Sequence, residues 1–370
     1  MAEVLDVWIG GHYAGELTQY DAGAVGFAYD DAYRASPHTP ALSVSMPKTL
    51  TAHPPEVVEP WIDNLLPDND TLRERWAARF DERRASAFNL LRHMGLDCAG
   101  AVQVVPHGVF PDDAAGEVPL TEEDIHDALA ALRHDESAWT FGEHGGRYSL
   151  GGAQGKFAAA RAGDGWALPT GRAPSTHVFK VGIPHREHSV LAEYVTMRAA
   201  SRLGIGVVDT DLLRFGDEVA LVSQRFDRVT GPDGRTLRIH QEDLCQALGV
   251  SRHRKYESDG GPGLAQIGGL VNTAIDPRDR AGARQLLTQA IAFNWVAAGT
   301  DAHAKNFALA HVGPRVLLAP LYDLTSAALL ERAPELRHKA KLAMKVGGEY
   351  RLGQIEARHL ERAAVAIGAA

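Results

Sequence analysis

Cysteine is scarce in this sequence, and long hydrophobic runs are missing from it. Its two cysteines, Cys98 and Cys245, lie far apart and in no metal-binding spacing, which excludes a disulfide-stapled scaffold and suits a reducing cytosol. No stretch approaches the run of about eighteen apolar residues that a membrane span needs. The N-terminus has neither the basic nor the apolar region of a signal peptide. We therefore expect a cytoplasmic protein that does not enter a membrane.

Positive charge is also in deficit. The chain has 38 lysines and arginines against 47 aspartates and glutamates, a formal net charge of −9. A protein with this balance has no overall positive field that would recruit a nucleic acid. We expect any contact with DNA to be made indirectly, through a partner.

The remaining composition is that of an ordinary globular protein, with 45% hydrophobic and 23% charged residues. It excludes a disordered, collagen-like or coiled-coil chain. A length of 370 residues predicts two domains or three, with enough chain to bury a large core.

Strands are predicted mainly in the first half of the chain. Alternating apolar residues predict strands at Val4–Ile9, Val25–Tyr29 and Leu42–Met46. In the second half the pattern becomes mostly helical, with predicted helices at Gln241–Leu248 and Arg278–Ala298.

Two helices of the first half carry recognisable start signals. Leu72, Trp76 and Phe80 are spaced four apart behind an Asp-Asn-Asp sequence, which predicts an amphipathic helix. Thr121 and Asp124 have the spacing of a capping box, which predicts the start of another helix.

A glycine-rich segment, LGGAQGK at positions 150–156, joins two predicted strands. It differs from a Walker phosphate loop, which requires Gly at position 150 and Ser or Thr at position 157, where this chain has Leu150 and Phe157. Such a loop is most often a simple hairpin. Because glycine has no side chain, the loop could also bring backbone N–H groups close to an anion.

A lysine and a glutamate follow this loop in the order that protein kinases use. Lys180 ends a predicted strand, and Glu193 lies on the next predicted helix. In kinases such a lysine contacts nucleotide phosphates and such a glutamate holds the ammonium group. The simpler interpretation is a pair of solvated side chains.

A third group of residues has the spacing of a kinase catalytic loop. Asp301 and Asn306 form a D-x-x-x-x-N pattern, in which Asp accepts the proton of the substrate hydroxyl and Asn holds magnesium. Downstream, Leu321-Tyr322-Asp323 ends another predicted strand, where a second metal-holding carboxylate belongs. The simpler interpretation is a set of turn and cap residues. A zinc site built on His303 is disfavoured because further ligands at metal spacing are missing.

Several longer segments, some of which contain the residues above, match the sequence pattern of one protein family. They are SLGGAQGKFA, THVFKV, LVSQRFDRV, HQEDLCQALG, KYESDGGPG, NWVAAGTDAHAKNFAL and PLYDLTSA, with LSVSMP and NLLPDND nearer the N-terminus. In this order and over nearly the whole chain, they resemble the HipA family of bacterial toxin kinases. The resemblance implies ATP-dependent Ser/Thr protein phosphorylation and a small DNA-binding antitoxin of the HipB type, with which such toxins repress their own operon. It implies an aminoacyl-tRNA synthetase, of the glutamyl-tRNA synthetase type, as the protein substrate.

The resemblance also assigns a nucleotide site for ATP and Mg²⁺. The residues that it implies around the phosphates are Leu150, Gly151, Gly152, Ala153, Gln154, Gly155, Lys156 and Lys180, with Glu193 as the ion-pair partner of Lys180. It implies that the backbone of Gln224 and Phe226 binds adenine and that His303 lines the nucleotide site.

The same resemblance implies the catalytic and regulatory residues. Asp301 is the expected catalytic base, and Asn306 and Asp323 are the expected magnesium ligands. Ser149 corresponds to the serine that these kinases autophosphorylate.

Three features depart from the family pattern. Gly155 replaces an acidic residue, which is expected to loosen the loop, and Gln224 replaces a glutamate, which leaves a backbone contact possible. The chain stops at Ala370, before the further C-terminal helices that family members usually have.

Two alternatives to a protein kinase therefore stay open. The first is a catalytically weak scaffold that binds an antitoxin and strengthens its repression. The second is a kinase-fold enzyme that transfers AMP or phosphorylates a small molecule. The intact set of Asp301, Asn306 and Asp323 favours the protein kinase over the scaffold.

The predicted fold is α+β and has two lobes in the manner of a protein kinase. Its N-terminal lobe is rich in strands and its C-terminal lobe is mostly helical. We expect an N-terminal subdomain at 1–105, an ATP-binding part at 106–226 and a helical lobe at 227–370.

Overall fold

A computed structural model describes residues 2–111, 116–138, 148–183, 186, 188–330, 336 and 339–369. The strands are β1 (Glu3–Ile9), β2 (His12–Gln19), β3 (Val25–Tyr29), β4 (Ala52–His53), β5 (Asp97–Cys98), β6 (Val102–Pro106), β7 (Gly116–Leu120), β8 (Tyr148–Ser149), β9 (Lys156–Ala162), β10 (Gly165–Thr170), β11 (His177–Lys180), β12 (Thr210–Phe215), β13 (Glu218–Gln224), β14 (Arg228–Thr230), β15 (Thr236–Arg238), β16 (His240–Asp243), β17 (Ala308–Val312), β18 (Arg315–Leu318), β19 (Lys341–Val346) and β20 (Glu349–Arg351). The helices are α1 (Asp31–Ala35), α2 (Pro55–Asn64), α3 (Asp70–Arg79), α4 (Ala87–Met94), α5 (Glu122–His134), α6 (Ser189–Arg202), α7 (Leu244–Ala247), α8 (Leu264–Ala274), α9 (Arg280–Ala297) and α10 (Ala357–Ala366).

The N-terminal part is a five-stranded antiparallel sheet in the order β4-β3-β2-β1-β6, with α2 and α4 packed against it. Helix α3 begins where its sequence predicts, because the Asn69 side chain accepts a hydrogen bond from the Leu72 backbone N–H. Leu72 and Trp76 then turn inward and are buried. The predicted strands Val4–Ile9 and Val25–Tyr29 are confirmed as β1 and β3.

The second sheet has six strands in the order β12-β13-β11-β9-β10-β7. Helices α5 and α6 pack on it. Helix α5 begins with the predicted capping box, in which Thr121 and Asp124 exchange side-chain and backbone hydrogen bonds.

One hydrophobic core runs through both sheets and their helices. It includes Phe27 of the first sheet, Phe157 and Phe179 of the second, and Trp61 of α2. A separate core fills the C-terminal lobe, where α8, α9 and α10 pack together beside the small sheet β16-β17-β18. The N-terminal subdomain and the second sheet therefore behave as one packed unit that faces the C-terminal lobe.

The helix predicted at Gln241–Leu248 is wrong in its first half, where the chain forms strand β16 and only α7 is helical. Glu242 is the reason, because its carboxylate is fully buried and needs partners that a strand can reach. It accepts hydrogen bonds from Ser43 Oγ at 2.5 Å and from the Val44 backbone N–H at 2.9 Å, and it lies 3.0 Å from His311 Nε2.

The strand predicted at Leu42–Met46 is also wrong. This segment forms a tight turn with a single bridge between Ser43 and Met46, and its polar groups point to the C-terminal lobe. Ser45 Oγ donates to the Gln246 carbonyl at 3.2 Å. The LSVSMP and HQEDLCQALG segments thus dock the N-terminal subdomain on the C-terminal lobe.

A buried cluster of charge lies behind the connection between the lobes. Arg225 donates to both Asp227 oxygens at 3.0 and 2.9 Å. Asp97 accepts hydrogen bonds from Arg228 at 2.9 Å and from Arg238 at 3.2 Å. Because Asp97 belongs to β5 and the arginines to the hinge and the C-terminal lobe, this hinge cluster ties three parts of the chain together.

The predicted boundary after residue 105 falls within β6, and that after residue 226 falls between β13 and β14. These domain boundaries stay predictions. Within the ranges that the structure describes, none of the helices combines the length and apolarity needed to cross a membrane.

Candidate active site

A cavity of about 660 Å³ lies between the two lobes, a size typical of small-molecule sites. Most of the residues predicted from the sequence line it. They are Leu150, Gly151, Gly152, Ala153, Gln154, Lys156, Lys180, Glu193, Gln224, Phe226, Asp301, His303, Asn306 and Asp323.

Lys180 is the central cation of the cavity. It ends β11, and its ammonium donates to Glu193 Oε1 on α6 at 2.7 Å and to Asp323 Oδ1. Burial alone would lower the pKa of Lys180, but the two carboxylates raise it overall. Burial also raises the pKa of Glu193 to about 7, although the nearby charge of Lys180 lowers it in part. Lys180 therefore stays charged in the cavity.

The prediction that Leu321-Tyr322-Asp323 ends a strand is wrong, since β18 already ends at Leu318. Only Leu321 forms a bridge, with Val207, and Asp323 has a left-handed backbone with φ of 59°. Aspartate tolerates this conformation better than most residues. The Asp323 carboxylate reaches Lys180, which holds its pKa below the usual range although burial alone would raise it.

Asn306 and Asp323 offer the oxygens that a magnesium ion prefers. Asn306 Nδ2 lies 3.3 Å from Asp323 Oδ2, so the two side chains are adjacent. Asn306 Oδ1 is buried, and no described residue donates to it. A carboxylate beside an unsatisfied amide oxygen fits Mg²⁺, which takes oxygen ligands and few protein groups.

The catalytic-loop candidate follows the end of α9. Ala298 is left-handed with φ of 54°, and a Cβ at Gly299 would lie 2.1 Å from Asn294 Oδ1, so any larger residue there would displace the Asn294 side chain. The chain then reaches Asp301, whose Oδ1 accepts a hydrogen bond from the Tyr256 hydroxyl. The protein around its carboxylate removes water and raises the pKa of Asp301.

His303 lies deeper in the cavity than Asp301. Burial, together with nearby Lys255, lowers the pKa of His303 to about 3, so the ring is neutral at physiological pH. Its Nδ1 is buried, and the described residues leave it without a partner. Its ring meets the Tyr256 ring edge-on at 4.8 Å.

The glycine loop forms one wall of the cavity, between β8 and β9 as the sequence predicts. Gly152 has φ of +97°, and a Cβ there would lie 2.6 Å from Lys156 Nζ. Lys156 Nζ donates to the Gly151 carbonyl at 2.6 Å. Burial, followed by the nearby charge of Lys180, lowers the pKa of Lys156 to about 8. The loop thus holds a lysine that is close to losing its charge.

The hinge candidates also line the cavity. Gln224 is the last residue of β13, and its side chain is exposed. The Phe226 ring stacks near Tyr322, with 5.8 Å between centroids. Two nearly parallel aromatic rings suit a planar base.

Two predicted residues lie outside the cavity lining. Gly155 packs beneath the loop, where a Cβ would lie 3.3 Å from the Glu136 carbonyl. Ser149 is fully buried, and its hydroxyl donates to the Leu65 carbonyl at 2.8 Å.

Sequence reasoning missed four residues that the fold brings to the cavity or to Asp301. They are Asp68, Lys255, Tyr256 and Lys305. Asp68 Oδ1 lies 2.8 Å from Lys305 Nζ, and its Oδ2 lies 2.9 Å from Lys255 Nζ. The segments NLLPDND, KYESDGGPG and the catalytic loop contain these residues, but their pairing spans up to 237 positions and leaves no local pattern.

Comparisons with known proteins agree with this architecture. Residues 5–105 match the HipA N-terminal domain, and residues 148–370 match the HipA-like C-terminal domain. The protein named "Putative kinase Y4mE" of Sinorhizobium fredii is 34% identical over 359 residues, or 96% of this chain and 83% of that protein. The serine/threonine-protein kinase toxin HipA of Shewanella oneidensis is 30% identical over 369 residues, or 96% of this chain and 81% of that protein.

Among solved structures, the chain is similar to one of the Shewanella oneidensis toxin–antitoxin system, which contains HipA, HipB and operator DNA. The TM-score is 0.82 at 28% identity, covering 98% of this chain and 84% of that one. The two lobes and the cleft between them define a protein with a kinase-like fold. The chain belongs to the HipA family of toxin kinases. The predicted family and fold class are both confirmed.

Proposed function

We propose that this protein is an ATP- and Mg²⁺-dependent kinase that phosphorylates Ser/Thr hydroxyls of a protein. One observation carries the proposal: Lys180 with Glu193, Asn306 with Asp323, and Asp301 all converge on one cavity. These are the parts that phosphoryl transfer requires, a cation for the phosphates, ligands for a metal and a base.

The two ends of the cavity would bind the two ends of ATP. The glycine loop, Lys156 and Lys180 would bind the phosphates, because their N–H and ammonium groups offset negative charge. The backbone at Gln224 and Phe226 would bind adenine. Mg²⁺ held by Asn306 and Asp323 would neutralise charge on the phosphate oxygens.

Asp301 would act as the general base. It would accept the proton of the acceptor hydroxyl while that oxygen bonds to the terminal phosphorus and ADP leaves. A base works best when its pKa approaches the working pH, and the pKa of Asp301 is raised by desolvation. Because the Tyr256 hydroxyl now donates to Asp301, the acceptor would have to displace it.

We also propose a toxin role with a HipB-like antitoxin as partner. This rests on the similar structure, whose title describes HipA with HipB and operator DNA. DNA would be contacted through the antitoxin, in keeping with the net charge of −9. An aminoacyl-tRNA synthetase of the glutamyl type is the proposed substrate, on the family resemblance.

Ser149 remains the proposed autophosphorylation site. Its hydroxyl is buried against the Leu65 carbonyl, so phosphorylation requires a rearrangement that exposes it. The added charge would then oppose closure of the loop over the phosphates of ATP.

The test is transfer of the label from γ-labelled ATP into host extract, followed by mass identification of the labelled protein. We expect Asp301→Asn to fold normally but to lose about 10²–10⁴-fold in transfer rate, because the amide cannot accept the proton. Undiminished transfer by this variant would contradict the proposed role of Asp301.

A further inference from the structure

The KYESDGGPG segment, at positions 255–263, contains none of the nucleotide, metal or base residues proposed for this site. It lies between α7 and α8 and is bound to the catalytic loop through its backbone, because the Lys255 carbonyl accepts a hydrogen bond from the Ala304 N–H at 3.3 Å. The Lys255 ammonium also lies 2.9 Å from Asp68 Oδ2, in the N-terminal subdomain. The segment is therefore tied to two neighbouring parts of the site.

The backbone around Tyr256 is tightly constrained. Its carbonyl accepts a hydrogen bond from the Gly261 N–H at 2.9 Å. A Cβ at Gly261 would lie 1.9 Å from the Arg254 carbonyl oxygen, so the turn closes only with glycine at this position. The next side chain, Glu257, accepts a hydrogen bond from the Lys345 backbone N–H at 2.6 Å. The Tyr256 side chain thus projects from a backbone that is held on both sides.

Tyr256 directs its hydroxyl to Asp301, 45 residues further along the chain. The hydroxyl donates to Asp301 Oδ1, and within the part of the chain that the structure describes it is the one side-chain group that donates to this carboxylate. Burial raises the pKa of Tyr256, so the hydroxyl keeps the proton that it donates. The Tyr256 ring meets the His303 ring edge-on at 4.8 Å, which restricts where the hydroxyl can point.

This contact has the chemistry of a base with its acceptor. A general base accepts a hydrogen bond from the hydroxyl whose proton it takes, and here the protein itself supplies a hydroxyl at that position. Asp301 lines the cavity, whereas Tyr256 reaches it from outside the lining. While Tyr256 occupies Asp301 Oδ1, a water molecule cannot be activated through that oxygen.

We propose that Tyr256 is a positioning residue that occupies the place of the acceptor hydroxyl on Asp301 until a protein substrate displaces it, so that water does not attack ATP. This inference rests on the proposed function and deepens it, because it adds protection against hydrolysis to the same site. In hydrolysis the water oxygen would bond to the terminal phosphorus as the bond to ADP breaks, and the water proton would pass to Asp301. The Tyr256 hydroxyl opposes that step by holding the oxygen that would accept the proton.

Release of inorganic phosphate from Mg·ATP, without any protein substrate, tests the proposal on the full chain. Tyr256→Phe keeps the ring beside His303 and removes only the hydroxyl. It should raise the rate of phosphate release at least about fivefold, because water no longer competes with a hydroxyl for Asp301, and should change ATP affinity less than about twofold by calorimetry. Tyr20→Phe, at an exposed tyrosine between β2 and β3, is the matched control and should change neither.

The pH profile of phosphate release separates positioning from a merely structural role. Desolvation raises the pKa of Asp301, and the charge of Asp323 adds to this effect. The Tyr256 hydrogen bond lowers the pKa of Asp301, as do the charges of Lys255 and Lys180. Removing the hydroxyl therefore raises this pKa, and the acid limb of the profile should move to higher pH in Tyr256→Phe. Adding Asp301→Asn should abolish the gain in hydrolysis, because the gain acts through this carboxylate.

Phosphate release by Tyr256→Phe that does not exceed the wild-type rate, or an acid limb that stays in place, would overturn the inference. Label transfer from ATP to protein in host extract would then still support the kinase proposal. An equal gain in Tyr20→Phe would also overturn the inference. Failure of the wild-type protein to bind ATP would instead remove the proposed function and this inference with it.

Discussion

Two buried clusters of charge flank the hinge of this protein, and they are built from different cations. The hinge cluster pairs Asp97 and Asp227 with arginines, and Arg225 grips Asp227 through two hydrogen bonds. The cavity instead uses lysines, among them Lys180 and Lys305, whose carboxylate partners lie on separate loops and helices.

The difference follows from the chemistry of the two side chains. Arginine is planar, always charged and suited to fixed bidentate pairs, whereas lysine is a mobile point charge whose pKa responds to its surroundings. The hinge cluster therefore joins the domains, and the lysine cluster can exchange a carboxylate for a phosphate. Both clusters contain buried polar atoms without a described partner, Arg228 Nε and Arg238 Nε in the hinge cluster and Asn306 Oδ1 in the cavity, where a ligand would bind.

The largest expected effect is on the hinge cluster. Arg225→Met should lower the free energy of unfolding by about 3–5 kcal/mol, because Asp97 and Asp227 would lose a buried partner. Urea unfolding followed by tryptophan fluorescence measures this. Arg235→Met, which removes an exposed arginine, is the matched control and should cost less than about 0.5 kcal/mol. A similar loss of unfolding free energy in both variants would contradict the stabilising role of the hinge cluster.

The second prediction concerns the titration of Lys156. Because burial lowers its pKa to about 8, the free protein loses this charge above that pH, and bound phosphates should restore it. ATP binding should therefore take up a proton and weaken roughly eightfold between about pH 7.5 and 9. Calorimetry in buffers of different ionisation enthalpy measures the uptake.

Lys156→Met should bind ATP more weakly at pH 7.5 and show a flat dependence over the same range. Persistence of the proton uptake in this variant would assign it to another group.

A smaller loss of stability than that of Arg225→Met is expected at Ser149. Ser149→Ala should cost about 1–3 kcal/mol of stability, because the buried Leu65 carbonyl would lose its donor. Ser201→Ala, on the exposed face of α6, is the control and should change stability by less than about 0.5 kcal/mol. Equal stability of the two variants would show that the Ser149 hydrogen bond contributes little.

Local features of the fold could be read from the sequence. The caps at Asn69 and Thr121 act within three residues, so the starts of α3 and α5 were predictable. The position of β16 was not predictable, because Ser43, which donates a hydrogen bond to the buried Glu242 carboxylate, lies 199 residues away in the sequence. Alternation at Leu42–Met46 predicted a strand, but its serines bond within the turn and across to the C-terminal lobe.

The candidate site likewise contains some residues that a sequence pattern predicts and others that only the folded structure brings together. The order of the glycine loop, Lys180, Glu193 and Asp301 was readable as a pattern. The Asp68–Lys305 pair was not, since it exists only once the N-terminal subdomain docks. Charged residues in loops have no periodicity that could reveal such a contact.

Magnesium dependence of ATP binding tests the central claim most directly. We expect wild-type protein to bind ATP at least about tenfold more tightly with Mg²⁺ than with EDTA, because Asn306 and Asp323 would hold the ion against the phosphates. Asp323→Ala should abolish this difference, measured by calorimetry under the same conditions. Equal ATP affinity of the wild-type protein with magnesium and with EDTA would contradict the account.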